Sequence, residues 1–197
     1  YEYKELIPRV LKDKEVMKVL SVSVILYITN IVSTNFFSLY VTQWLGIESR
    51  YLAFFPILNA AVMLIFMIGI QHKLELVKFR IPMWIGLALY AIAVILLILA
   101  PTGSIPFVIV YVFVVAVAGS LVMPRKDALI QLNINAEERA RINALIMSFT
   151  IAFSSPFGYF AGWLSSIDRR LPFMFSFALF LVAIIIVGRI RDPEFSK

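Results

Sequence analysis

Cysteine is absent from this 197-residue chain, so it can hold neither a disulfide nor a thiolate metal site. Histidine occurs once, at His72, and with Lys73, Lys78 and Arg80 close by it reads as a solvated loop residue rather than a proton relay. Charge is scarce: Asp, Glu, Lys and Arg fill 15% of positions, against about 25% in a soluble domain. Hydrophobic residues fill 61%. A nucleophile with a base in reach, or a set of metal ligands, has little to be built from here. The composition therefore speaks against a membrane hydrolase or other enzyme and implies no cofactor and no metal site.

The missing charge is concentrated in stretches. No Asp, Glu, Lys or Arg occurs in residues 19–47, 51–72, 81–124, 142–167 or 171–188. A helix rises about 1.5 Å per residue and the hydrocarbon core is about 30 Å thick, so about 20 apolar residues cross it once. Residues 81–124 are long enough to cross twice, and the Pro101-Thr-Gly-Ser-Ile-Pro106 cluster marks the turn between the two crossings. Six spans follow, over 19–45, 51–71, 82–100, 106–124, 140–164 and 172–190. A membrane barrel would show alternating segments of about ten residues, and Ala91-Ile-Ala-Val-Ile-Leu-Leu-Ile-Leu-Ala100 does not alternate. The predicted fold class is an all-α polytopic membrane protein with a lipid bilayer as its first partner.

Basic residues set the expected orientation. Fifteen of the 18 Lys and Arg residues flank the spans on the side that carries both chain ends, and only Arg50, Arg169 and Arg170 lie on the other. Both termini are thus expected in the cytoplasm, and the net charge of +6 is a topology signal rather than a nucleic-acid footprint. The expected location is multi-pass in the plasma (inner) membrane. Residues 1–18 read as a cytoplasmic lead segment, 19–190 as the six-helix bundle and 191–197 as a cytoplasmic tail. The chain opens on Tyr1 rather than Met, which suggests a piece of something longer.

Polar residues inside the spans are expected to face other helices or a hydrated cavity, because lipid offers no hydrogen bonds. In the first span Ser23, Tyr27, Asn30, Thr34 and Ser38 recur at spacings of three and four, forming one stripe, with Asn35 beside it. The second span adds Asn59. The fifth adds Asn143, Ser148, Thr150, Ser154, Ser155 and Tyr159, with a kink expected at Pro156. The third and sixth spans are nearly bare of polar groups and read as peripheral, which fits two repeats of three helices. The candidate solute-binding set is Tyr27, Asn30, Thr34, Asn35, Asn59, Ser155 and Tyr159. Many membrane Ser and Thr side chains instead bond their own backbone, and Gly158-x-x-x-Gly162 suits close helix packing.

Between the fourth and fifth spans, Asn135 and Glu138 form a capping-box pattern that starts the fifth helix near Ala136. The stretch Asn135-Ala-Glu-Glu-Arg-Ala-Arg-Ile-Asn-Ala-Leu145, running on to Ser154-Ser-Pro-Phe-Gly158 and Gly162, resembles the start and middle of the eleventh helix in transporters of the major facilitator superfamily. The resemblance extends over nearly the whole chain in topology and about 30 residues in motif, and it makes the six spans similar to helices seven to twelve. One departure is the loop Gly69-Ile-Gln-His-Lys73-Leu-Glu-Leu-Val-Lys78, which has Lys73 where that family carries an acid. The resemblance implies half of a secondary transporter or facilitator that moves a small organic solute by alternating access. Its partner would be a second six-helix bundle, supplied by an N-terminal half or, less naturally, by another copy of this chain. Asp127, Arg125, Glu138, Arg139 and Arg141 form a candidate cytoplasmic gate, with Asp127 expected to pair with one of the arginines. Two readings compete: a stand-alone solute-binding subunit of a multi-component importer, and a membrane scaffold that transports nothing.

Overall fold

A computed structural model describes residues 14–69, 79–132 and 139–190, with side chains 130–132 and 139 excepted. Six α-helices account for most of it: α1 Lys14–Leu39, α2 Phe54–Gly69, α3 Arg80–Ile98, α4 Ile105–Leu132, α5 Arg139–Ile167 and α6 Leu171–Gly188. A π-helical turn, Tyr40–Trp44, prolongs α1, and a 3-10 turn, Ser49–Tyr51, leads toward α2. There is no strand among the described residues. All six helical segments are long and apolar enough to cross a bilayer, and they match the six expected spans one for one. The chain is a multi-pass integral membrane protein.

Two boundaries differ from expectation. Helix α4 does not stop near Pro124 but runs through it to Leu132. A proline in a helix removes one backbone bond, yet the extra turns place Leu129 in the core and bury Arg125 with its guanidinium 5.7 Å from the centre of the Phe79 ring. Tertiary packing outweighs the lost bond. Helix α1 is already formed at Lys14, the first described residue, ahead of the uncharged run, and Glu15 and Lys18 pair across one helical turn there at 2.7 Å. The expected cap at Asn135 and Glu138, the loop holding His72, and both chain ends lie outside the described residues.

The helices pack in a definite set of pairs. Helix α3 lies against α4 and α6, α1 against α5 and α6, and α2 against α4, with smaller seams between α5 and α6 and between α1 and α4. The tightest approach joins α3 to α4: a Cβ on Gly86 would sit 2.5 Å from Val122 Cγ2 and 3.0 Å from the Ala118 carbonyl oxygen. Tyr90 of α3 stacks on Phe180 of α6 at 5.0 Å with the rings nearly parallel. Gly158 and Gly162 face α1, where an added Cβ would meet Ile31 and Phe36 at ordinary van der Waals distance.

The expectation that α3 and α6 alone are peripheral needs amending. Each buries one whole face, through Met83, Leu87 and Leu97 on α3 and Phe173, Phe180 and Val187 on α6. The least covered spans are α2 and α5, with 11% and 22% of their most apolar windows buried.

At the end of the bundle where the interhelical hairpins lie, the π turn is held from several sides. The Gly103 amide donates to the Leu45 carbonyl at 2.6 Å, and the Tyr40 hydroxyl donates to the Leu97 carbonyl at 3.2 Å. Arg169 donates to Gln43 Oε1 at 2.9 Å, and the Arg170 guanidinium lies 4.4 Å over the Trp44 ring. Gly103 has φ +76°, a conformation that favours glycine, which lets the short turn aim its amide at α1. At the opposite, basic end, Lys18 Nζ donates to the Arg189 carbonyl at 2.7 Å and ties α1 to the last turn of α6.

Candidate functional site

Several hydroxyls within the helices satisfy themselves locally. Ser21, Ser23, Thr29, Thr42, Ser120 and Ser176 each donate to a carbonyl three or four residues back in their own helix. These groups can therefore sit in an apolar setting at little cost.

Others are not satisfied. The hydroxyls of Thr150 and Ser154 on α5 and the Oδ1 of Asn59 on α2 are buried and have no hydrogen-bond partner among the described residues. An unmet buried polar group costs about 1–3 kcal/mol. Two of these three groups lie on α5, one turn apart on the same face.

The stripe on α1 does not point into the bundle. Ser23 is buried, but Tyr27, Asn30, Thr34 and Ser38 are exposed, as is Asn35 beside them. Thr34 Oγ1 donates to Asn30 Oδ1 at 3.4 Å, the long end of such contacts. The reason is again packing: Val22, Ile25, Leu26 and Val32 take the face of α1 that meets its neighbours.

Below the exposed stripe, between α1, α4 and α5, lies a cleft of about 560 Å³, within the range of small-molecule sites. Helix α1 lines it with Ser23, Tyr27 and Asn30. Helix α4 contributes Met123, Lys126 and Asp127, and α5 contributes Asn143, Met147 and Thr150 together with Ile146 and Ile151. Tyr27 and Asn30 lie about 20 to 24 Å along α1 from Lys14, at 1.5 Å per residue. A smaller cavity of about 80 Å³ lies beside the cleft and shares Leu26, Asn30 and Met123 with it. Its other walls include Ser33, Tyr90 and Tyr111, and it has room for a few waters. Asn30 therefore stands between a cleft and an inner chamber.

Of the residues singled out from sequence, Tyr27, Asn30 and Asp127 meet in the cleft, with Thr34 bonded to Asn30. Asn35, Asn59, Ser155 and Tyr159 line neither cavity, and Tyr159 is 86% exposed on α5. Asp127 pairs with Lys126, Nζ to Oδ1 3.1 Å; the side chain of Arg139, one of the arginines expected to pair with it, lies outside the described residues. Adjacent in sequence, the two side chains reach one another along the helix surface, while Arg125 turns into the core beside Phe79. Arg141 is exposed on α5, Arg139 is the first described residue of that helix, and Glu138 lies outside the described residues.

Lys126, Met123, Asn143, Met147 and Thr150 were not selected from sequence as solute-binding residues. The signal for α5 was available in the spacing, since residues 143, 146, 147, 150 and 151 fall on one face of a helix. For α4 it was hidden by ending the helix at Pro124. No protein-family model matches the chain, and none of the curated proteins matches it either.

Proposed function

We propose that this chain is one half of a secondary transporter or facilitator, which carries a small organic solute between two six-helix bundles by alternating access. The observation that carries this reading is the outward-facing stripe of Tyr27, Asn30, Thr34 and Ser38 on α1. Lipid would leave those groups without hydrogen-bond partners. A hydrated cavity walled by a second bundle would satisfy them, and an N-terminal half is the natural source of that bundle. The exposed polar groups of α5, Asn143, Ser148, Ser155 and Tyr159, extend the same requirement.

The helix pairing gives further support. Exchanging α1 with α4, α2 with α5 and α3 with α6 turns the α1–α5 seam into α4–α2 and the α1–α6 seam into α4–α3, while α3–α6 and α1–α4 map onto themselves and only the smaller α5–α6 seam has no counterpart among those described. Such pairing is what two repeats of three helices produce. In this reading both termini are cytoplasmic, the plasma (inner) membrane is the host, and the cleft opens toward the cytoplasm. Asp127 and Lys126 line the cleft and act as part of the gate, and Arg141, exposed near the start of α5, belongs to the same gate.

The natural absence of cysteine makes the test direct. Single cysteines are placed at Asn30, Thr34 and Ser38, with Ile85 and Ile185 on the apolar outer faces as controls, and the protein is treated in its membrane with a charged maleimide. Labelling of the three stripe positions and not of the controls is the expected result. If the stripe is as unreactive as the controls, it faces lipid and the transporter reading fails.

A further inference from the structure

The cleft between α1, α4 and α5 has a chemistry more specific than its polarity. Its charged wall is a neighbouring pair of opposite sign, Lys126 and Asp127, 3.1 Å apart. The Lys126 side chain is 19% exposed and that of Asp127 59%, so both reach the cleft and neither is sealed in protein. Deeper in the wall, the Thr150 hydroxyl is over nine-tenths buried and has no hydrogen-bond partner among the described residues. The remaining surface near it is largely apolar, with Ile146 and Met147 on the same face of α5.

The field of an ion pair is that of a dipole. A ligand carrying only a positive charge gains from Asp127 but is opposed by Lys126, and a purely anionic ligand meets the reverse, so the two terms nearly cancel. A ligand with both charges close together gains from both. Partial exclusion from water makes these terms larger than at an open surface. We propose that the cleft binds a small amphipathic zwitterion, with its ammonium group on Asp127, its carboxylate on Lys126, a hydrogen bond to Thr150 and an apolar body against Ile146 and Met147. This deepens the transporter reading and rests on it for the way the solute reaches the cleft.

The assignment also explains why an unmet hydroxyl is kept at position 150. Val would have the same shape there without the unmet group. A bound solute gives the hydroxyl a partner, so the cost falls on the empty state alone. Such an arrangement sharpens selection for ligands that can complete the bond.

The test uses the purified full chain in lipid nanodiscs with radiolabelled leucine, methionine and glycylleucine as zwitterionic probes. Isopentylamine and 4-methylpentanoate, the amine-only and acid-only counterparts of leucine, serve as competitors. At least one zwitterion is expected to bind and to be displaced by unlabelled zwitterion at concentrations about tenfold or more below either single-charge analogue, the loss expected for one charge-assisted hydrogen bond. Asp127→Asn and Lys126→Gln should each erase that preference, and Thr150→Val should weaken zwitterion binding by several-fold. Equal displacement by the amine or the acid, or no binding of any of the three zwitterions, overturns the proposal. The wild-type competition stands by itself even if a variant fails to fold. The cysteine labelling of α1 separates the two readings: a reactive stripe with no zwitterion preference sinks the ligand class alone, whereas an unreactive stripe sinks the transporter reading.

Discussion

At the scale of single residues, the informative groups are those whose bonding is incomplete. Asn59 has a carboxamide oxygen buried on α2 without a partner among the described residues, in a helix otherwise made of apolar side chains. Asn59→Leu should raise the thermal midpoint of the purified protein, a gain on the order of 1 kcal/mol from removing an unmet polar group. A lowered midpoint would mean that the amide holds a hydrogen bond in the assembled protein. Asn30 and Thr34 differ because they are exposed and bonded to each other. Asn30→Leu and Thr34→Val should reduce solute uptake in proteoliposomes by about tenfold, as expected when one or two bonds to a ligand are removed, and leave the thermal midpoint within about 0.5 kcal/mol, the usual range for surface substitutions. Unchanged uptake and affinity in both variants would make these residues bystanders.

At the scale of elements, α3 and α4 are joined where Gly86 meets Ala118 and Val122. Gly86→Ala should destabilise by about 1–3 kcal/mol, the usual cost of overpacking, read as a fall in thermal midpoint. Adding Val122→Ala should recover part of the loss, because the nearest clashing atom is then gone. Full additivity of the two substitutions would place the clash elsewhere. The elements were largely legible in the sequence, because charge-free runs of the right length report on the bilayer rather than on neighbouring helices. Helix ends were less legible. Pro124 is a local stop signal, and only the burial of Leu129 and the contact of Arg125 with Phe79, both made across the bundle, explain why the helix continues. The site was half legible for the same reason. Spacing grouped Tyr27, Asn30 and Thr34 on one face of α1, but spacing within a helix does not say whether that face turns inward. The rank of α2 and α5 as the least covered helices depends on contacts between distant segments, which no single span encodes.

At the scale of the whole molecule, both ends of the bundle are tied. Lys18 bonds to the last turn of α6 at one end, and the π turn after α1 is held by Gly103, Arg169 and Arg170 at the other. The proposed orientation puts the first of these in the cytoplasm. A cysteine at Thr102, in the exposed turn between α3 and α4, should react with impermeant maleimide from outside intact cells, and one at Arg141 should react only in inverted vesicles. The opposite pattern would reverse the orientation and place the mouth of the cleft on the external face.

The sparse covering of α2 bears on how the protein is made. Its main seam is with α4, which the ribosome completes only after α3 and two turns have been added. While the chain is being synthesised, α2 must therefore wait among lipids before its chief neighbour exists. Its helical residues from Phe54 to Gly69 contain no charged group, so waiting there costs little. Helix α1, whose partners α5 and α6 come last, carries its polar stripe through the same interval before either of them exists. In the proposed transporter, a segment translated earlier would cover that stripe first, and the bundle would close inward from its final two helices.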